Sequence, residues 1–161
     1  MRIELISPEN RNRINDFIKT QWFSVDMVVR GEIVDMTKMD GFVIYENASV
    51  IGLITYRIIN NECEIMSLDS LREQQGIGTA LLNRVKQMAI IKNCSKLKLI
   101  TTNDNINAIR FYQKRGFDLV HLYHNALETS RKLKPSIPVT GDHGIPIRHE
   151  LEFELNLSNN N

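Results

Sequence analysis

The chain has 161 residues, enough for one globular unit, and its 42% hydrophobic and 24% charged residues exclude a disordered chain. Its 20 Lys and Arg against 19 Asp and Glu leave a net charge of +1, which excludes the basic excess of a dedicated nucleic-acid binder. Cys63 and Cys94 stand outside any CxxC pair and make no disulfide framework, so a reducing, cytoplasmic setting is expected.

The opening residues, MRIELISPENR, are charged at once and carry no signal-peptide apolar region. No run of about 18 apolar residues offers a membrane span. Residues 2–6 alternate polar and apolar and predict a strand. Ser7 and Pro8 fit an N-cap and a first helical position, which predicts a helix to about Thr20. Residues 21–40 give no single period. Residues 42–45 and 50–56 are β-branched and aromatic around a polar turn at Glu46-Asn47-Ala48, a hairpin signal, and a turn at Asn60-Asn61 leads to a third antiparallel strand over 62–68. From Gly78 the period becomes helical, with Leu81, Val85, Met88 and Ala89 on one face. A strand over 96–101 follows, then a short helix over 105–115 closed by Gly116, a strand over 117–121 and a helix over 125–134. Prolines 135, 138 and 146 with glycines 141 and 144 mark a structured loop, and the alternation over 149–155 is a last strand.

The charge is unevenly spread. Residues 1–71 carry 7 basic and 11 acidic side chains, residues 72–115 carry 9 basic against Glu73 and Asp104, and residues 135–161 carry Arg148 against four acids. A basic middle of +7 between acidic ends fits an anionic ligand held centrally, and ordinary solvated faces account for it equally.

Two segments carry chemistry. In Glu73-Gln74-Gln75-Gly76-Ile77-Gly78-Thr79, a glycine pair after a strand and before a helix lets backbone N–H groups point outward together, which suits a phosphate or serves as a plain tight turn. No Gly-Lys-Ser/Thr follows, so it is not a Walker A loop, and the third glycine of a dinucleotide fingerprint is missing. In the second segment, 101–117, Asn105 fits a helix cap, Ala108 and Phe111 pack inward, and Phe117 closes over the Gly116 cap.

Together the two segments resemble the GNAT-type N-acetyltransferase superfamily, over about residues 2–123 and most closely over 62–117. The resemblance implies an α/β (α+β) fold with a central, mixed, mostly antiparallel sheet flanked by helices. It implies a single N-acetyltransferase domain over 1–157, with 158–161 as a frayed tail. Acetyl-CoA is the implied cosubstrate, with no metal. The amides of Gln74, Gln75, Gly76, Ile77, Gly78 and Thr79 would hold its pyrophosphate. Met66 and Leu68 would also contact the cofactor, with backbone N–H groups around Leu68 polarising the thioester carbonyl. Asn105 would stand near the pantetheine and Tyr112 near the thioester sulfur. One departure is Glu73, where many members carry Arg or Gln: either Arg72 and Gln74 compensate or Glu73 points away. Residues 141–148 resemble the tail of a bacterial subgroup.

An amine must be neutral to attack a thioester, and a lysine-like amine has a reference pKa of about 10.4. A carboxylate, directly or through water, can take the proton. Glu62 and Glu64 share parity on one strand, opposite to Cys63, so either serves as base or both are exposed strand residues. Tyr112 would protonate the departing thiolate or is a core aromatic, and no cysteine nucleophile is required. His121, His124, His143 and His149 show no ligand spacing with carboxylates or thiolates, so no metal is expected. Trp22 and Arg30 fit an acceptor pocket or ordinary packing. The expected acceptor is a cationic amine, on a small molecule or a protein, entering opposite the glycine loop and bordered by the 135–149 loop, where Arg148 lines the pocket or ties to Glu150 or Glu152. No membrane and no nucleic-acid partner is expected, and a homodimer is left open. Two rivals stand. A non-catalytic acyl-CoA-binding or regulatory module would keep the loop without needing Tyr112 or a base. A nucleic-acid-associated domain would use the +7 block, and its binding would survive saturation with CoA.

Overall fold

The computed structural model describes residues 2–73 and 75–158, so Gln74 of the expected loop and residues 159–161 of the expected tail lie outside the described residues. The fold is α+β, a mostly antiparallel seven-stranded sheet with four α-helices among the described residues. The chain divides into two compact units. The first holds the chain to Asp26, Asp35–Leu97 and the residues from Leu157 on, and the second holds Met27–Val34 and Lys98–Asn156.

The first unit is a meander. Strand β1 (Arg2–Leu5) pairs antiparallel with β4 (Asp40–Glu46), β4 with β5 (Ser49–Ile59), and β5 with β6 (Glu62–Ser70). The two expected hairpins form, and each turns on two residues at positive φ: Asn47 and Ala48 at 48° and 70°, Asn60 and Asn61 at 53° and 61°. Such turns match the right-handed twist of the flanking strands. Helix α2 (Ile77–Ile91) follows β6 and buries Ile77, Leu81, Leu82, Val85 and Ala89, the stripe its sequence period requires.

Helix α1 (Arg11–Trp22) starts later than its sequence suggests. Asn10, not Ser7, occupies the N-cap position. Its carboxamide accepts the Ser7 N–H at 2.8 Å and donates to the Leu5 carbonyl at 2.9 Å, so residues 7–10 form a turn that closes β1 before the helix begins. The helix buries Ile14 and Ile18 and ends at Phe23, in the left-handed region at φ 57°.

The second unit contains Met27–Val34, the middle of the stretch without a single period. Strands β2 (Asp26–Val29) and β3 (Glu32–Asp35) form a hairpin whose turn, Arg30-Gly31, also has both residues at positive φ. Strand β7 (Lys96–Thr102) starts in the first unit and continues into the second. There the order is β7-β9-β8, with β8 (Asp118–Tyr123) antiparallel to β9 (Glu150–Asn156) and Phe153 fully buried. Helices α3 (Ile106–Lys114) and α4 (Ala126–Leu133) complete it, and Asn105 caps α3 as expected by accepting the Ala108 N–H at 3.2 Å.

Candidate functional site

Gly76 ends the β6–α2 connection at φ 72°, and a Cβ built on it would meet no atom within 4 Å. The turn is therefore open at the start of α2, where the first N–H groups of a helix have no carbonyl one turn back and, with the helix dipole, stabilise an anion. Gln75 and Gly76 are exposed, Gly78 and Thr79 half-buried, and Ile77 is a core residue. Glu73 is exposed. Arg72 is held by Glu46 through a salt bridge and an Nη1–Oε1 hydrogen bond of 3.2 Å.

Strand β6 carries a bulge. Thr55 pairs with Ser67 and Tyr56 with Ile65, which leaves Met66 as the extra residue. Residues directly opposite in an antiparallel pair share a face. On β5 the alternating residues Leu53, Thr55, Arg57 and Ile59 oppose Asp69, Ser67, Glu64 and Glu62. The bulge thus brings Asp69 onto the face of Glu62 and Glu64, although sequence parity sets it on the other side. Cys63 opposes Ile58 on the reverse face, as parity predicts, and burial pushes its thiol up to about 12. That reverse face is the one α2 covers, because a Cβ on Gly52 would stand 2.5 Å from Ile77 Cγ2. The polar row therefore lies on the face away from α2.

Each member of the row has its own partner. Glu62 Oε1 pairs with Lys96 Nζ at 3.2 Å. Glu64, 7% exposed, accepts from Arg57 Nε at 2.9 Å. Thr55 and Ser67 share a buried hydrogen bond of 2.6 Å. Asp69, half-buried, accepts the indole N–H of Trp22 at 3.2 Å. Burial pushes the Asp69 carboxyl up to about 6, and the Trp22 hydrogen bond pulls the other way. Sequence reasoning missed Asp69 because its face depends on the bulge. Met66 is buried and Leu68, opposite Ile54, is half-buried.

In the second unit, Asn105 spends its carboxamide on structure, since Nδ2 also donates to Thr101 Oγ1 at 3.2 Å. Tyr112 is 6% exposed, its ring edge-on to Phe111 at 5.0 Å and Phe117 at 5.3 Å. The 135–149 loop is clamped to the end of β7. Asn103 Oδ1 accepts the N–H groups of Arg148 and His149, both at 2.9 Å, and Nδ2 donates to the Pro146 carbonyl at 2.9 Å. The buried Asp104 carboxylate accepts the Asp142 N–H at 3.1 Å, and Gly141 lies so close to it that no side chain fits there. Arg148 does not tie to Glu150 or Glu152; its guanidinium donates to Asn125 Oδ1 at 3.1 Å. Arg30 takes that place, pairing with Glu152, stacking 4.3 Å from the Tyr123 ring, and offering its backbone N–H to Glu150 at 3.2 Å. Arg30, Tyr123 and Glu150 border a cavity of about 450 Å³ with His121, His124 and Thr129. His149 stacks on His124 at 4.8 Å and accepts the Asn125 N–H at Nδ1. Among the described residues no group of three His, Cys, Asp or Glu is placed to hold a metal, and no helix is long and apolar enough to cross a membrane.

Comparison with known proteins gives these features a context. The model of the acetyltransferase (GNAT) family matches residues 9–117. The uncharacterized protein YdhI of Bacillus subtilis (strain 168) is 44% identical over 153 residues, covering 92% of this chain and 96% of its own. Among solved structures, the IAA acetyltransferase from Bacillus cereus ATCC 14579 superposes with a TM-score of 0.69 at 21% identity, over 97% of this chain and 99% of that one. A GNAT family acetyltransferase from Elizabethkingia anophelis with acetyl-CoA bound also gives 0.69 at 21% identity, over 97% of each chain. At these identities the two structures share the fold.

Proposed function

The chain belongs to the acetyltransferase (GNAT) family, and from that premise we propose that it moves the acetyl group of acetyl-CoA directly to a primary amine in the cytoplasm. The observation that carries the reading is the open Gly76 turn at the start of α2, directly after β6. Its geometry suits the pyrophosphate of CoA: backbone donors at a helix start, a positive dipole end, and, among the described residues, no atom within 4 Å of where a Gly76 Cβ would stand. The polar row, on the face of β5 and β6 turned away from α2, suits a cationic acceptor, because Glu62, Glu64 and Asp69 outnumber Arg57 and the Lys96 ammonium that pairs with Glu62. Glu62 and Glu64 lend negative potential that draws the ammonium, while one oxygen of each is engaged by Lys96 and Arg57. Backbone N–H groups around Leu68 polarise the thioester carbonyl. Tyr112 gives a proton to the departing thiolate.

Calorimetry with acetyl-CoA and an assay of thiol release against a panel of amines, peptides included, test the reading. Gly76→Asp puts a side chain and a negative charge into the open turn and is expected to abolish measurable CoA binding without unfolding the chain. Unchanged affinity in the folded variant would remove the pyrophosphate from this turn. Tight acetyl-CoA binding without thiol release for any amine would make the protein a non-catalytic acyl-CoA-binding module.

A further inference from the structure

Several observations in the first unit converge on one carboxylate. Asp69 lies on the same face as Glu62 and Glu64 because of the Met66 bulge, and that face is turned away from α2. Glu62 and Glu64 are engaged by Lys96 and Arg57, whereas Asp69 meets an uncharged donor, the Trp22 indole, at 3.2 Å. Its neighbours across the strand and from α1, Leu53 and Trp22, carry no charge. Trp22 is itself 42% exposed, so the pair is reachable from solvent. Asp69 also follows Leu68, the residue whose backbone is expected at the thioester.

We infer that Asp69 is the residue that receives the acceptor's ammonium group and takes its proton, with the Trp22 indole holding the carboxylate in place. The inference rests on the acetyl-transfer reading. In the step, one N–H proton passes from the ammonium to Asp69 and from there to water. The neutral nitrogen then attacks the thioester carbon, so that a C–N bond forms and the C–S bond breaks. The second proton shed by nitrogen replaces the one that Tyr112 delivers to the thiolate. A carboxyl held near 6 by burial suits this task, since it is ionised at neutral pH yet more basic than an exposed aspartate.

Trp22 is the single tryptophan of the chain and touches Asp69, so its fluorescence reads this carboxylate without any turnover. The experiment follows wild type and Asp69→Asn by Trp22 fluorescence against pH, with and without the primary amine that gives the fastest thiol release, and by kcat/KM against pH. Wild-type fluorescence is expected to step near pH 6, the step moves to lower pH when the ammonium binds, and both features vanish in Asp69→Asn. Wild-type kcat/KM is expected to rise through the same pH and then level off. In Asp69→Asn it should fall about 10²–10⁴-fold at neutral pH and climb steadily toward the amine's own pKa, because only free amine can then react. Trp22→Phe removes a donor that favours the ionised form, so its acid limb should move to higher pH. A folded Asp69→Asn with the wild-type profile, or fluorescence indifferent to an amine that the wild type acetylates, overturns the role of Asp69 and leaves acetyl transfer standing. Absence of thiol release from every amine overturns acetyl transfer, and the catalytic role of Asp69 with it.

Discussion

Replacing Asp69 with Asn should stabilise the protein at neutral pH while it impairs the proposed chemistry. In the folded chain burial holds the carboxyl near 6, against 3.8 for the free side chain. Between those values the folded state binds more protons than the unfolded one, so stability falls as pH rises through the window. Above it the full penalty is present, about 3 kcal/mol at about 1.36 kcal/mol per pH unit. Asparagine keeps the shape and still offers Oδ1 to the Trp22 indole, but it has no charge to desolvate. The two proteins should therefore be nearly equal in stability near pH 4. The variant should gain up to about 3 kcal/mol by pH 7.5, which for a chain of this size is roughly 6–12 °C in Tm. Urea denaturation of both proteins at half-unit steps from pH 4 to 8 measures the difference. A gap that does not grow with pH, or a variant that is weaker at pH 7.5, would refute the burial argument. The pattern expected, stability gained where function is lost, is common where a charged group is kept in a poorly solvated site.

Tyr112→Phe should bind acetyl-CoA with wild-type affinity in calorimetry and lose about 10²–10⁴-fold in kcat when chemistry is rate-limiting, and an unchanged kcat would remove the phenol from the mechanism. Glu64→Gln leaves the Arg57 guanidinium without its carboxylate in a site where the two side chains are 20% and 9% exposed. It should cost about 1–2 kcal/mol in urea denaturation at pH 7, a loss that only partly shrinks in high salt. Gly141→Ala drives a methyl group toward the Asp104 carboxylate, which must then give up its grip on the Asp142 N–H. Faster proteolytic cleavage within 135–148 than in the wild type, with a lower Tm, is the expected readout.

Much of the fold is local and is readable for that reason. The Asn47-Ala48 and Asn60-Asn61 turns, the Asn105 cap and the change of period at α2 each depend on residues within a few positions of one another. Where two local signals compete, position along the chain is harder to read. Ser7-Pro8 has the chemistry of a helix start, but Asn10 folds its carboxamide back onto Leu5 and Ser7 and moves the start of α1 along the chain. The hairpin of β2 and β3 turns on Arg30-Gly31, and its strands are too short to show a recognisable period.

The amino-acid sequence by itself determined the order of the elements outside 21–40, the glycine turn before α2, and the family to which the chain belongs. It also determined that Glu62 and Glu64 share a face, because nothing interrupts the alternation between them. Only the tertiary structure decided that Asp69 joins them. Parity counting assumes an unbroken strand, and the extra residue at Met66 exists only in the pairing of β6 with β5, where Thr55 claims Ser67 and Tyr56 claims Ile65. The same holds for partners: Arg57 meets Glu64, Trp22 meets Asp69, and Asn103 and Asp104 hold the 135–149 loop, across separations of 7 to 47 residues. Contacts at such distances are set by register and packing, which no local pattern encodes.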